Sequence, residues 1–160
     1  MKKRPFFILM FLLPLAVAAQ VYAPGDFYGV IIYEKNRTID FNYLNNPICG
    51  TAIAYFNHLP STAEYTMDLK KNRIRFEQIN SMEFIKFNDE EKSAIQNLCP
   101  DCFLRKAKII RNDNTETIPS VVYVALKQID WKNTAVKDFE DLRTVEARFL
   151  NKLTISLKKK

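Results

Sequence analysis

The amino-acid sequence predicts a mainly β protein, a hairpin-built antiparallel sandwich or open barrel with one or two short helices. Three observations carry that expectation. Residues 64–77 read as a hairpin if Lys71-Asn72 is a two-residue turn: Leu69 then faces Ile74 and Met67 faces Phe76 on one side, while Asp68 faces Arg75 on the other. Residues 27–44 obey the same rule around Lys35-Asn36, which pairs Ile32 with Ile39, Val30 with Phe41 and Tyr28 with Tyr43. The run Val121-Val122-Tyr123-Val124 is apolar on both faces, the pattern of a central strand of the core. Both turns read Lys-Asn-Arg, and asparagine is the non-glycine residue that best tolerates positive φ, so Asn36 and Asn72 are expected in that conformation.

Between the two hairpins, Asn45-Asn46-Pro47 is a turn cluster, Cys49-Gly50 ends a loop, and Thr51 to Phe56 form a short strand on which Ile53 and Tyr55 share a face. After Phe76, residues Glu83 to Phe87 have the branched and aromatic content of another strand. Asn88 then caps a helix through its side-chain oxygen, with Asp89, Glu90 and Glu91 in the first turn, where the helix dipole favours acids. Pro100 ends it. A long strand over 103–111, an open tip over 112–117 and a return strand over 118–126 follow. The last quarter reads as a hairpin with its turn at Leu150 to Lys152, so that Phe149 faces Leu153, Ala147 faces Ile155 and Val145 faces Leu157, with a short helix over 134–142 before it. A helical stripe through Val136, Phe139, Leu142 and Val145 competes, but it places Glu146 inside the apolar arc.

The N terminus stands apart from this pattern. Lys2, Lys3 and Arg4 precede an apolar run from Phe6 to Leu15 that closes on Val17-Ala18-Ala19, the layout of a cleaved secretory signal peptide over residues 1–19. Residues 20–160 then form one β-rich domain with a basic C-terminal tail. Three of the 24 Lys and Arg leave with the signal and three more stand at Lys158-Lys159-Lys160, so the body between them is near neutral against 18 acids. A near-neutral body argues against nucleic acid as partner, and the terminal lysines read as a frayed, solubilising tail.

Chemistry-bearing motifs are few. Cys99-Pro100-Asp101-Cys102 has the C-x-x-C spacing of a thiol-disulfide pair, but a redox pair of that kind opens a helix, whose N-terminal dipole lowers the first thiol's pKa. Here a helix precedes the pair and a strand follows. Export permits disulfides, and Cys49, Cys99 and Cys102 leave one bridge and one spare thiol, with the pairing open. Cys49, His58, Cys99 and Cys102 also make up a Cys₃His set that a structural zinc accepts, although the Cys49 and His58 spacing is looser than a zinc module's. All three glycines, Gly25, Gly29 and Gly50, lie in the first third of the chain, so no glycine-rich phosphate loop exists, and His58 is the one histidine available to any Ser-His or Cys-His arrangement. Tyr33 falls on the polar face of the first hairpin and is the aromatic side chain best placed as an exposed contact.

These readings converge on an exported, non-catalytic binding or structural module of the cell envelope or extracellular space, secreted or periplasmic. Its partner is an unknown protein or glycan, with no nucleic acid, no cofactor and no membrane span once the signal is removed. The alternatives are a thiol-disulfide redox protein using Cys99 and Cys102, and a hydrolase with a carboxylate site.

Overall fold

A long antiparallel sheet dominates the computed structural model, which describes residues 21–98, 103–112, 118–136 and 141–158. In chain order its elements are β1 (Phe27–Tyr33), β2 (Arg37–Phe41), β3 (Tyr43–Asn45), β4 (Ala52–Phe56), α1 (Thr62–Asp68), β5 (Arg73–Arg75) and β6 (Ile79–Ile85). Then come α2 (Asp89–Leu98), β7 (Leu104–Arg111), β8 (Val121–Ala125), β9 (Gln128–Lys132), β10 (Arg143–Glu146) and β11 (Leu150–Leu157). Eight strands form one sheet in the order β2-β1-β11-β6-β7-β8-β4-β5, and three form a smaller sheet in the order β10-β9-β3. The mainly β architecture expected from the sequence is therefore present.

The core lies between the two sheets. Phe27, Ile31, Met82, Val122, Val124 and Leu153 point inward from the large sheet, and Leu44, Ile129 and Trp131 meet them from the small one. A second, smaller cluster, Ala54, Phe56, Leu104 and Ala125, lies on the other face, where Tyr65 of α1 and Phe87 just before α2 cover it. Alternation along β7 and β8 divides the two clusters, as a side-chain period of two requires: Ala107 and Ile109 serve the main core while Leu104 serves the second.

The first hairpin is shifted by one residue from the expected register. Ile31 faces Ile39 and Gly29 faces Phe41, because the connection is a three-residue turn, Glu34–Asn36, in place of a two-residue one. Phe27 and Ile31 are therefore inside, and Tyr28 is exposed. Asn36 has the positive φ expected of it, at 56°, and Lys35 shares it at 59°. The new register also explains Gly29. A Cβ there would overlap the Thr154 carbonyl oxygen of β11 and sit 3.0 Å from the Phe41 ring, so this position needs the absence of a side chain.

Residues 64–77 are not a hairpin. Ser61 and Glu64 close a capping box, in which the Glu64 N–H donates to Ser61 Oγ at 3.3 Å and the Ser61 N–H to Glu64 Oε2 at 2.7 Å, and α1 follows. Tyr65 and Leu69, one helical turn apart, both pack on the second cluster, where Tyr65 stacks on Phe56 with 5.7 Å between ring centres. β5 pairs with β4, Ile74 opposite Ile53. Asn72 is absent from the positive-φ residues of the described chain; the N–H groups of Lys71 and Asn72 instead close the helix by donating to the Asp68 carbonyl.

The C-terminal quarter is also β, but without the expected hairpin. β10 pairs with β9, a single turn of 3-10 helix at Ala147–Phe149 changes layers, and β11 inserts between β1 and β6. Of the helix expected over 134–142, Thr134 to Val136 form a turn and 137–140 lie outside the described residues. The strand expected to be central, β8, is interior but off-centre, and Val121 on its outer face is exposed. Lys158 is tied down, its N–H donating to the Asp26 carbonyl at 2.9 Å and its ammonium to the Gly25 carbonyl, so the tail is not frayed at that residue.

Gly29→Ala should destabilise the fold by about 1–3 kcal/mol, the usual cost of forcing an added group into a closed contact. Urea unfolding checks this, with Gly25→Ala as the control, because nothing lies within 4 Å of a Cβ built at Gly25.

Candidate functional site

Tyr33, the aromatic residue singled out by sequence, ends β1 and borders a cleft between the two sheets. Its ring packs against the main core, and the Arg37 guanidinium lies 4.4 Å from the ring centre. The three-residue turn produces this pairing directly, because it sets Tyr33 opposite Arg37 in the register. Across a space of about 240 Å³ stand Thr144, Val145 and Glu146 of β10, with Phe149 behind them and Glu34 beside Arg37. A neighbouring recess of about 180 Å³ continues the theme, with Thr38, Ile39 and Asp40 of β2 on one wall and Trp131, Asn133 and Val136 on the other. Both recesses thus run between β2, an edge strand of the large sheet, and the small sheet.

The rims are charged and the walls apolar. Glu34, Arg37 and Glu146 surround Val145 and Phe149, and Arg148 stacks on Phe149 at 4.6 Å while its Nε pairs with Glu146 at 2.9 Å. Arg37 covers a face of Tyr33 that would otherwise be open. A bare aromatic platform of the kind that stacks on a sugar ring is therefore not offered by Tyr33, whereas a charged side chain or an extended backbone meets complementary groups on both walls.

A second polar cluster, which the sequence did not reveal, joins α2 to the sheet. Asn88 and Glu91 form a capping box: the Glu91 N–H donates to Asn88 Oδ1 at 2.7 Å and the Asn88 N–H to Glu91 Oε2 at 2.8 Å. The other carboxylate oxygen of Glu91 accepts from Lys106 Nζ at 2.7 Å and from the Tyr123 hydroxyl at 2.5 Å. Lys106 and Tyr123 face each other across β7 and β8, so one acid spans a cross-strand pair, and Phe87 lies parallel to Tyr123. Burial alone would raise the Glu91 carboxyl, but the hydrogen bonds from Lys106, Tyr123 and the Asn88 backbone outweigh it and hold the group at about 2. Burial, with the adjacent Glu91 charge, pushes the Tyr123 phenol up to about 12. Both groups are thus moved away from neutrality, the behaviour of a clamp and the opposite of what proton transfer requires. The sequence signal for it was the Asn88-x-x-Glu91 spacing, which marks the cap but says nothing of the second oxygen.

The remaining candidates are dispersed. His58 is exposed and its Nε2 lies 3.3 Å from Glu64 Oε1; the two bonds with Ser61, and then this one, hold the Glu64 carboxyl below its ordinary range. Cys49 is a free, half-buried thiol in the turn that Asn46 and Gly50 close with mutual backbone hydrogen bonds. It packs beside the second cluster, where burial raises the Tyr65 phenol and the nearby Cys49 adds to the effect. Cys99 and Cys102 lie outside the described residues. α2 ends at Leu98 and β7 begins at Leu104, so the pair does fall between a helix end and a strand start. Among the described residues no group of three His, Cys, Asp or Glu side chains could hold a metal ion, and no helix is long and apolar enough to cross a membrane. No protein-family model, curated protein or solved structure matches the chain, so no relative supplies a function by likeness.

Two outcomes are expected. The folded Glu91 carboxyl, at about 2, lies below its ordinary value of 4.5. Its contribution to stability is complete above pH 4.5, shrinks as the pH falls and is gone below about 2. Glu91→Gln should therefore lower stability at pH 7 by about 1–3 kcal/mol and flatten the acid limb of the stability profile, measured by urea unfolding at a series of pH values. Separately, alkylation mapped by mass spectrometry should label Cys49 without reductant. A Cys49 protected until reductant is added would show it bridged.

Proposed function

We propose that this chain is an exported, non-catalytic module that binds a protein partner through the cleft between β2 and the small sheet. The supporting observation is the Tyr33 and Arg37 pair, fixed by the hairpin turn at the mouth of a charged-rim, apolar-walled recess opposite β10. Aromatic and arginine side chains held in place by their own scaffold lose little entropy on contact, which is why such pairs carry binding energy. A protein segment is preferred to a glycan because Arg37 lies over the Tyr33 ring. The basic n-region, apolar run and small residues before Gln20 support export, and with it a place in the cell envelope or the extracellular space.

Display of a random peptide library against the immobilised chain tests this proposal. Peptides enriched on the wild type should bind the Tyr33→Ala and Arg37→Ala variants at least roughly tenfold more weakly, with unchanged circular dichroism. Enriched peptides that bind wild type and variants alike would place the contact elsewhere, and binding on a glycan array that is lost in Tyr33→Ala would sink the protein-partner reading.

A further inference from the structure

Near the start of β7 and the end of β8, a cavity of about 270 Å³ is walled by Phe103, Leu104 and Leu126 and carries three cations, Arg105, Lys127 and Arg148, and one acid, Glu146. Their neutralisation is uneven. Arg148 is paired with Glu146, at 2.9 Å. Lys127 Nζ lies 4.9 Å from the centre of the Phe103 ring. Arg105 shares the parity of Ala107 and Ile109 along β7, so its side chain is drawn toward the core and is half-buried. Its Nε is fully buried and, among the described residues, has no hydrogen-bond partner.

That arrangement is costly as it stands. A guanidinium taken partly out of water requires acceptors for its N–H groups, and leaving them unmet forfeits more than a packed aliphatic side chain would gain. Burial accordingly works against the Arg105 charge. The Phe84 ring, 5.7 Å from the guanidinium carbon, is close to the limit of a cation–π contact and supplies no acceptor for the buried donor. An anion whose oxygens match the planar fork of an arginine supplies acceptors of the kind a partly desolvated guanidinium needs.

The geometry points to an oxyanion-binding site here, for a carboxylate or phosphate carried on a molecule with a small apolar group. The oxyanion would meet Arg105, with Lys127 as a second positive charge at the rim, and the apolar group would lie against Phe103, Leu104 and Leu126. The two sites share Glu146 on their walls, but Arg105 and Lys127 take no part in the Tyr33 cleft, so either assignment can fail without the other.

Calorimetric titration of the purified chain with inorganic phosphate and, separately, with benzoate tests the site, with ionic strength held constant by sodium chloride. Saturable binding of at least one probe is expected, weakened roughly tenfold or more by Arg105→Gln, since a bidentate charge-assisted contact is lost, and several-fold by Lys127→Gln. Phosphate alone binding would indicate a phosphorylated ligand, benzoate alone a carboxylate with an apolar flank, and both the shared chemistry; each supports the site. Saturable binding of neither probe overturns it. So does a folded Arg105→Gln variant that binds as wild type. Should Arg105→Gln fail to give a cooperative melt, Lys127→Gln, an exposed position, decides the question: undiminished affinity in that variant overturns the site.

Discussion

The arrangement of the two sheets depends on one bent strand. β2 belongs to the large sheet and β3 to the small one, yet only Asn42 separates them. The bend is held from the far side of the sequence: Asn42 Nδ2 donates to Thr134 Oγ1 at 2.7 Å, the Thr134 N–H returns to Asn42 Oδ1 at 3.0 Å, and the Asn42 N–H reaches the Lys132 carbonyl at 3.0 Å. Asn133 adds a bond to the Asp40 carbonyl at 3.2 Å. An asparagine here serves both sides of a seam with one amide, which neither an aliphatic residue nor an acid can do. Once the seam is set, Trp131 and Ile129 are delivered onto the large sheet, and the spaces on either side of β2 follow from where the small sheet stops.

Alternating residues made the strands legible and their partners much less so. β1 and β2 were readable because both faces of the hairpin are written in adjacent residues, but the register needed the turn length, and Glu34-Lys35-Asn36 resembles a two-residue turn unless Gly29 is placed beside Thr154. Residues 64–77 show the opposite failure. Met67 and Leu69 alternate as in a strand, while Tyr65 and Leu69 repeat as in a helix. The Ser61-x-x-Glu64 box settled that competition, and the strand reading passed over it. β10 and β11 were read as strands paired with each other, but they lie in different sheets, and no local pattern records that β11 pairs with β1, more than a hundred residues away. Tyr33 was singled out for the wrong face: the three-residue turn sets it opposite Arg37 instead of Thr38, on the parity of Phe27 and Ile31, and its ring packs on the core. Arg105 was not visible, because nothing in Leu104-Arg105-Lys106-Ala107 tells an arginine on the core face from its solvated neighbours until the strand is placed.

The polar groups sort by how fully they are met. The Glu91 carboxylate receives donors from Asn88, β7 and β8, and Asn46 in its turn donates to the Ala52 carbonyl and accepts from the Ile48 N–H. These satisfied groups hold the fold. Tyr33 and Arg37 line the open cleft beside the small sheet, and the half-buried Arg105 at the start of β7 has its Nε unmet among the described residues.

Strand β11 lies between β1 and β6, and the residues that join the first hairpin to the remainder of the large sheet are among the last in the chain. Synthesis alone cannot complete this sheet from the N terminus. Until Leu153 reaches its place beside Ile31, β1 and β2 are a lone two-stranded ribbon, marginal in water. Closing so long a loop is slow compared with local helix or hairpin formation. For the export proposed above, lateness of this kind would be useful: the polypeptide would stay threadable while it crossed a membrane and lock once β11 had arrived.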